Sequence, residues 1–218
     1  MLALEETTYR YRDGTTVALP SWYSETGAHW AIIGPSGSGK STFLHILAGL
    51  LRPASGRVMV GDQELHVMNE RALDRFRGRH IGLVFQALHL VAALTVADNL
   101  RLARYFAGLP QDAGRIQDVL ARLDIGALAG RYPHQLSQGQ AQRVAIARAL
   151  VNEPLAILAD EPTSALDDHN CTDVMALLTG QARASGASLI VATHDGRVRA
   201  HMEHTLELTS VAGEAHHE

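Results

Sequence analysis

The apolar positions of this 218-residue chain change period several times, and each change marks an element. Leu2-Ala-Leu-Glu-Glu and Ala28-His-Trp-Ala-Ile-Ile alternate with a period of two and predict strands, with a turn at Asp13-Gly14 between them. Beyond Ile33 a glycine-rich loop leads into Phe43, Leu44, Ile46, Leu47, Leu50 and Leu51, whose spacing predicts a helix stopped by Pro53 and Gly56. Arg57-Val-Met-Val before Gly61-Asp62 reads as a short strand and turn, and Ile81-Gly-Leu-Val-Phe as a strand leading to Gln86. From about residue 87 to residue 137 the pattern turns helical. Ile116, Val119, Leu120 and Leu123 recur at helical spacing, and Gly108-Leu-Pro110 separates their helix from an earlier one. An inserted helical lobe is expected there. Helical spacing returns from Gln140 to Leu150.

Two later runs, Leu155-Ala-Ile-Leu-Ala and Ser188-Leu-Ile-Val-Ala-Thr, are apolar without alternation, as strands covered on both faces are. They end in Asp160-Glu161 and His194-Asp195. In open α/β sheets ligands sit at the carboxyl ends of the strands, so these polar pairs stand where chemistry is expected.

Composition narrows the class. Apolar residues make up 46% and charged residues 19%, which suits a globular chain and not a disordered one. The formal net charge of -4, from 19 basic and 23 acidic residues, argues against a protein that coats nucleic acid, and no nucleic-acid partner is expected. Any phosphate must be held locally. Cys171 is the single cysteine, so no intramolecular disulfide is possible; it is expected half-buried on a helix. Most of the 12 histidines are expected at the surface, with His216-His217 in a solvated tail. No run of about 18 apolar residues exists to span a membrane. The first residues lack the cations and long apolar stretch of a signal peptide, so a cytoplasmic location is expected.

Gly34-Pro35-Ser36-Gly37-Ser38-Gly39-Lys40-Ser41-Thr42 fits G-x-x-x-x-G-K-[ST], the P-loop, between a predicted strand and a predicted helix. Its glycines let backbone N–H groups close around phosphate oxygens, the helix N-terminus adds positive potential, and Lys40 reaches the terminal phosphates. Ser41 offers a hydroxyl to Mg²⁺. Lys40 is the only lysine in the chain. The adjacent carboxylates after the apolar strand suit two tasks: Asp160 can hold Mg²⁺ through water, and Glu161 can polarise an attacking water.

Between these elements lies Leu136-Ser-Gln-Gly-Gln140. It resembles the signature motif, commonly LSGGQ, of the ATP-binding cassette (ABC) ATPases. Along the chain Tyr11 resembles the aromatic residue that stacks on adenine, with Tyr9 as its competitor and a plain cross-strand aromatic as the other reading. Gln86 resembles the Q-loop glutamine, which contacts Mg²⁺ and faces a membrane partner. Ser164-Ala-Leu-Asp167 resembles the D-loop, and His194 the switch histidine that bonds the γ-phosphate and orients water. Gln138 stands where the family most often has glycine.

The resemblance implies a P-loop NTPase core, mainly a parallel sheet flanked by helices, with an N-terminal antiparallel β subdomain and the inserted helical subdomain. It implies ATP and Mg²⁺ as ligands and Lys40, Glu161 and His194 as the catalytic set. Ser41, Gln86 and Asp160 would serve the metal, while Ser137, Gly139, Gln140 and Asp167 would serve nucleotide across a head-to-tail dimer. A separate integral membrane permease would carry the solute, with this chain peripheral on the inner face of the membrane. Phe85-Gln-Ala-Leu-His-Leu-Val-Ala-Ala-Leu-Thr-Val and Arg131-Tyr-Pro-His-Gln-Leu-Ser are similar to the lipoprotein-release and macrolide-export group. The other readings are a soluble ABC ATPase acting on DNA or ribosomes, and a P-loop kinase. The first usually needs a long insertion or two cassettes, and the second has no use for the signature motif.

Overall fold

The structure, a computed structural model, describes residues 1–164 and 167–209. The chain opens with β1 (Leu2–Arg10), β2 (Thr16–Ala18), β3 (Trp22–Ser24) and β4 (His29–Ile33), then α1 (Lys40–Leu47), β5 (Ser55–Val60) and β6 (Gln63–Glu64). It continues through α2 (Glu70–His80), β7 (Ile81–Phe85), α3 (Val96–Phe106), α4 (Ala113–Arg122), α5 (Gln138–Leu150) and β8 (Ala156–Asp160). The last elements are α6 (Asp168–Ser185), β9 (Ser188–Thr193), α7 (Gly196–Arg199) and β10 (His204–Glu207).

Two sheets form. One is antiparallel, in the order β2-β1-β5-β6 with β3 also on β1; the other is parallel, in the order β10-β4-β9-β8-β7. Every residue of β9 is buried, which explains its unbroken apolar run. Alternate residues of the parallel sheet supply two cores. Val84, Ile157, Leu189 and Val191 pack against the α3–α6 side. Ile32, Leu158, Ile190 and Ala192 pack with α1 and the inner residues of the antiparallel sheet, Leu2, Leu4, Val58 and Val60.

Sandwiched between the two sheets, α1 is buried on most of its circumference, with Phe43, Ile46 and Leu47 fully buried. Eight residues are too few for a helix to persist alone in water. Burial holds it, at roughly 2 kcal/mol for each of those side chains. The helix ends at Leu47, earlier than the apolar spacing through Leu51 suggests. Gly49 takes φ 66°, and both Leu50 N and Leu51 N turn back to the carbonyl of His45, at 2.8 and 3.1 Å. Leu50 therefore faces solvent. The apolar period runs past the helix because the residues after a left-handed turn happen to be leucines.

Helix α2 carries no apolar stripe in the sequence. Its only buried side chain is Leu73, and its start is fixed by Asn69, whose side chain accepts from Ala72 N at 2.9 Å. The segment expected to form the inserted lobe holds α3 and α4. Arg104, buried on α3, braces the segment internally through the Pro110 carbonyl and binds it to the remainder through the Val151 carbonyl. Cys171 corrects the expectation of half-burial: it is 1% exposed, because its face of α6 packs on the parallel sheet. His29 is fully buried, an exception among histidines expected mostly at the surface.

Candidate nucleotide site

Register brings the polar residues to one place. Ile33 pairs with Thr193, Asp160 with Ala192, and Phe85 with Asp160, so the loops after β4, β7, β8 and β9 leave the same edge of the sheet. The loop after β4 is Gly34–Gly39, and α1 begins at Lys40 without a side-chain cap at Gly39. A Cβ on Gly34 would stand 2.4 Å from the Leu208 carbonyl oxygen and 2.6 Å from Ser38 Oγ, so only glycine fits there. Lys40 Nζ donates to the carbonyls of Gly34 and Pro35, at 2.9 Å each, which folds the ammonium into the loop. Pro35, Ser36 and Gly37 form the exposed crest, while Ser38 Oγ is buried with no hydrogen-bond partner, a polar atom directed into the loop.

Ser41 Oγ donates to Asp160 Oδ1 at 3.2 Å. His45, one turn further along α1, places Nε2 3.8 Å from Asp160 Oδ2. Burial raises the Asp160 carboxyl above its ordinary range and Glu161 adds to this; the Ser41 bond, His45 and Lys40 oppose it. A hydroxyl and a carboxylate oxygen are the donors a hard divalent cation prefers. Among the described residues no group of three or more His, Cys, Asp or Glu could hold a metal alone.

Glu161 has φ 48°, a left-handed conformation that strains a non-glycine residue by about 1–3 kcal/mol. Its surroundings hold it there. Glu161 N donates to the Ala192 carbonyl at 2.8 Å, and Thr193 Oγ1 donates to Oε2 at 2.9 Å. Oε1 accepts from His194 N at 3.2 Å and lies 2.8 Å from His194 Nδ1. The carboxylate and the imidazole are therefore one hydrogen-bonded pair at the end of two adjacent strands.

Gln86 follows β7 at the same edge and is exposed. Tyr11 Oη bonds Thr42 Oγ1 at 2.6 Å, and its ring meets Tyr9 edge-on at 4.7 Å, so Tyr11 stands over the start of α1. Asp167 caps α6 through Asn170 N at 2.9 Å and Ser164 Oγ donates to the Glu161 carbonyl at 3.2 Å; Ala165 and Leu166 between them lie outside the described residues, as do His216 and His217.

The signature turn is built separately. Ser137 caps α5: its Oγ accepts from Gln140 N at 3.3 Å, and Gln140 Oε1 accepts from Ser137 N at 3.0 Å. Ser137, Gln138 and Gly139 are exposed, and a Cβ at Gly139 would meet nothing within 4 Å. Among the described residues no hydrogen bond joins this turn to the P-loop. Helix α5 does reach the Glu161 turn, since Gln142 Nε2 donates to the Pro162 carbonyl at 2.8 Å. Sequence reading missed Thr193 and His45. Both carried a local signal: Thr193 directly precedes His194, and His45 lies four residues after Ser41 on one helix face.

A parallel sheet with a lysine-bearing glycine loop, a β8 carboxylate pair and a polar β9 terminus at one edge defines a P-loop nucleoside triphosphatase. The profile described as ABC transporter matches residues 20–164, more than half of the chain, and the chain belongs to that family. It is a transport-coupled ATPase cassette that binds ATP. Over 214 residues the chain is 38% identical to the lipoprotein-releasing system ATP-binding protein LolD of Chromohalobacter salexigens, covering 95% of this chain and 90% of that protein. It is 44% identical over 180 residues to the macrolide export ATP-binding/permease protein MacB of Escherichia coli strain K12, covering 82% of this chain and 28% of that longer protein. Among solved structures, the dimeric post-hydrolysis state of the ATP-binding cassette MJ0796 bound to ADP and Pi superposes with a TM-score of 0.84. Its identity is 35%, with 95% of this chain and 94% of that chain covered. The structure of cbiO1 from Clostridium perfringens, part of an ABC transporter complex, gives a TM-score of 0.85 at 32% identity, covering 96% and 86%.

Proposed function

We propose that two copies of this chain close head to tail on ATP and that the hydrolysis cycle drives a separate membrane permease. The observation that carries this reading is that Lys40, Ser41, Asp160, Glu161 and His194 gather at the sheet edge, while the exposed signature turn, among the described residues, makes no hydrogen bond to them. A second chain supplies the missing half. In this reading Gly34–Thr42 wrap the phosphates and Tyr11 stacks on the base. Ser137, Gly139 and Gln140 of the partner copy meet the γ-phosphate, where the N-terminal dipole of α5 favours negative charge, and Asp167 lies beside them at the interface.

Ser41, Asp160 and Gln86 would hold Mg²⁺, which when bound neutralises phosphate charge. Lys40 moves from its own loop carbonyls to phosphate oxygens, a stronger, charge-assisted exchange. Glu161 accepts a proton from the attacking water, and His194 orients the γ-phosphate and that water. The short Glu161–His194 contact fixes both groups on one side of the site.

Two features support the link to a permease. Arg148 of α5 donates to the carbonyls of Leu88 and His89, so the segment after Gln86 is bonded to the helix that carries the signature turn. Beside it, a groove of about 500 Å³ lined by Leu83, Phe85, His89, Ala103, Phe106 and Arg148 opens at the surface, with Tyr105 and Phe106 exposed nearby. We assign this groove to the permease, and in this reading the chain works peripherally on the inner face of the membrane. Among the described residues no helix is long and apolar enough to cross one.

The test compares binding with turnover. Glu161→Gln and His194→Ala are each expected to retain ATP affinity and to lose on the order of 10²-fold or more in steady-state hydrolysis. Loss of affinity with normal turnover of bound ATP would contradict these roles.

A further inference from the structure

Beyond His194 come Asp195, which ends the loop after β9, and Arg197, in the first turn of α7. Arg197 Nε donates to both carboxylate oxygens of Asp195, at 2.9 and 3.0 Å, and Nη2 donates to Oδ2 at 2.7 Å. Arg197 N also donates to Oδ1 at 3.0 Å, which caps α7. Chiefly because of the guanidinium, the Asp195 carboxyl is pulled down to about 2. Asp195 Oδ2 accepts in turn from Thr163 Oγ1 at 3.2 Å, two residues beyond Glu161. On its other side the same guanidinium donates through Nη1 to Asp168 Oδ1, in the first turn of α6. One side chain thus spans the loop after β9 and the start of α6, and Asp195 joins both to the turn after β8.

The two halves of this bridge differ in strength. The Asp195 side chain is 12% exposed and its bonds are bidentate and charge-assisted, a firm attachment. Asp168 is 91% exposed, and ion pairs so open to water contribute little to stability. The outer link can therefore be removed without unfolding the chain. His194 has its side chain 58% exposed, so packing alone does not hold the imidazole against Glu161. The neighbouring Asp195 is the anchored point of that loop.

We propose that Arg197 is a positioning residue for hydrolysis: by tying Asp195 to Asp168 it sets where His194 stands relative to Glu161. The proposal rests on the reading of Glu161 and His194 as the hydrolytic pair. Purified full-length chain would be assayed for ATP hydrolysis and thermal midpoint as wild type, Asp168→Asn, Asp168→Glu and Arg197→Ala. Asp168→Asn is expected to lower kcat about two- to fivefold, the size of one exposed ion pair, with KM for ATP and thermal midpoint unchanged. Asp168→Glu restores kcat. Arg197→Ala, which removes both links, lowers kcat roughly tenfold or more while KM holds, as misplacement of a catalytic group does. The proposal is overturned if Asp168→Asn and Arg197→Ala turn over like wild type, or if kcat falls only in step with the folded fraction. If His194→Ala turns over normally, the parent reading fails and this one with it.

Discussion

The N-termini of α1 and α5 make opposite use of the same physics. Both present backbone N–H groups and positive potential. At α1 the residue before the helix is Gly39, which offers no side-chain cap, and the neighbouring groups are a buried lysine and a buried orphan hydroxyl at Ser38. At α5 a reciprocal box of Ser137 and Gln140 satisfies the terminus from within the chain. The first is open and surrounded by partners; the second is closed and surrounded by solvent. A helix end that is already satisfied can stay soluble as a monomer's surface and still exchange its cap bonds for a phosphate brought by another molecule.

Lys40→Ala strikes the open end and has the largest expected effect. Removing a charged donor to two or more phosphate oxygens should weaken ATP binding by about 10²-fold or more, read by equilibrium binding to the monomer. Unchanged affinity would erase the contrast. Ser137→Ala strikes the closed end. It should cost about 1 kcal/mol of cap stability, leave ATP binding to the P-loop as it is, and lower turnover about tenfold through the lost bond across the interface. If instead it weakens monomer binding, the two termini serve one site within a single chain.

The smallest effect lies in the scaffold that holds both ends. His29 is buried on β4 with neither ring nitrogen hydrogen-bonded. Burial lowers its pKa below the ordinary value, Glu203 raises it and Arg183 lowers it. The folded chain therefore binds this proton less readily than the unfolded one. Its share of stability is present above about pH 6.5 and is lost as pH falls through the depressed folded value. The thermal midpoint should fall between about pH 7.5 and 5.5, and should fall less in His29→Leu, which cannot titrate. Equal slopes would remove His29 from the account.

Much of the site is legible in the chain because its parts are short strings at strand ends: Gly34–Thr42, Asp160-Glu161 and His194. Each is local, and the apolar run before it gives its place. What the string does not carry is the partner on another element. Thr193 and His194 meet Glu161 only because β8 and β9 are neighbours in register, and Arg197 meets Asp168 only because α6 starts beside that loop. The helix α2 escaped for a different reason: with one buried residue in eleven it has no apolar stripe, and Asn69 alone marks its start. In α1 the apolar period overran the helix because Leu50 and Leu51 follow a turn set by Gly49.

The head-to-tail closure of two cassettes on ATP is most directly tested by sedimentation of the Glu161→Gln chain with saturating Mg²⁺ and ATP. The account predicts a dimer that dissociates when nucleotide is removed and fails to form when Ser137 is replaced by a bulky residue. A chain that stays monomeric with ATP bound, while the wild type hydrolyses ATP at a rate strictly proportional to its concentration, would contradict it.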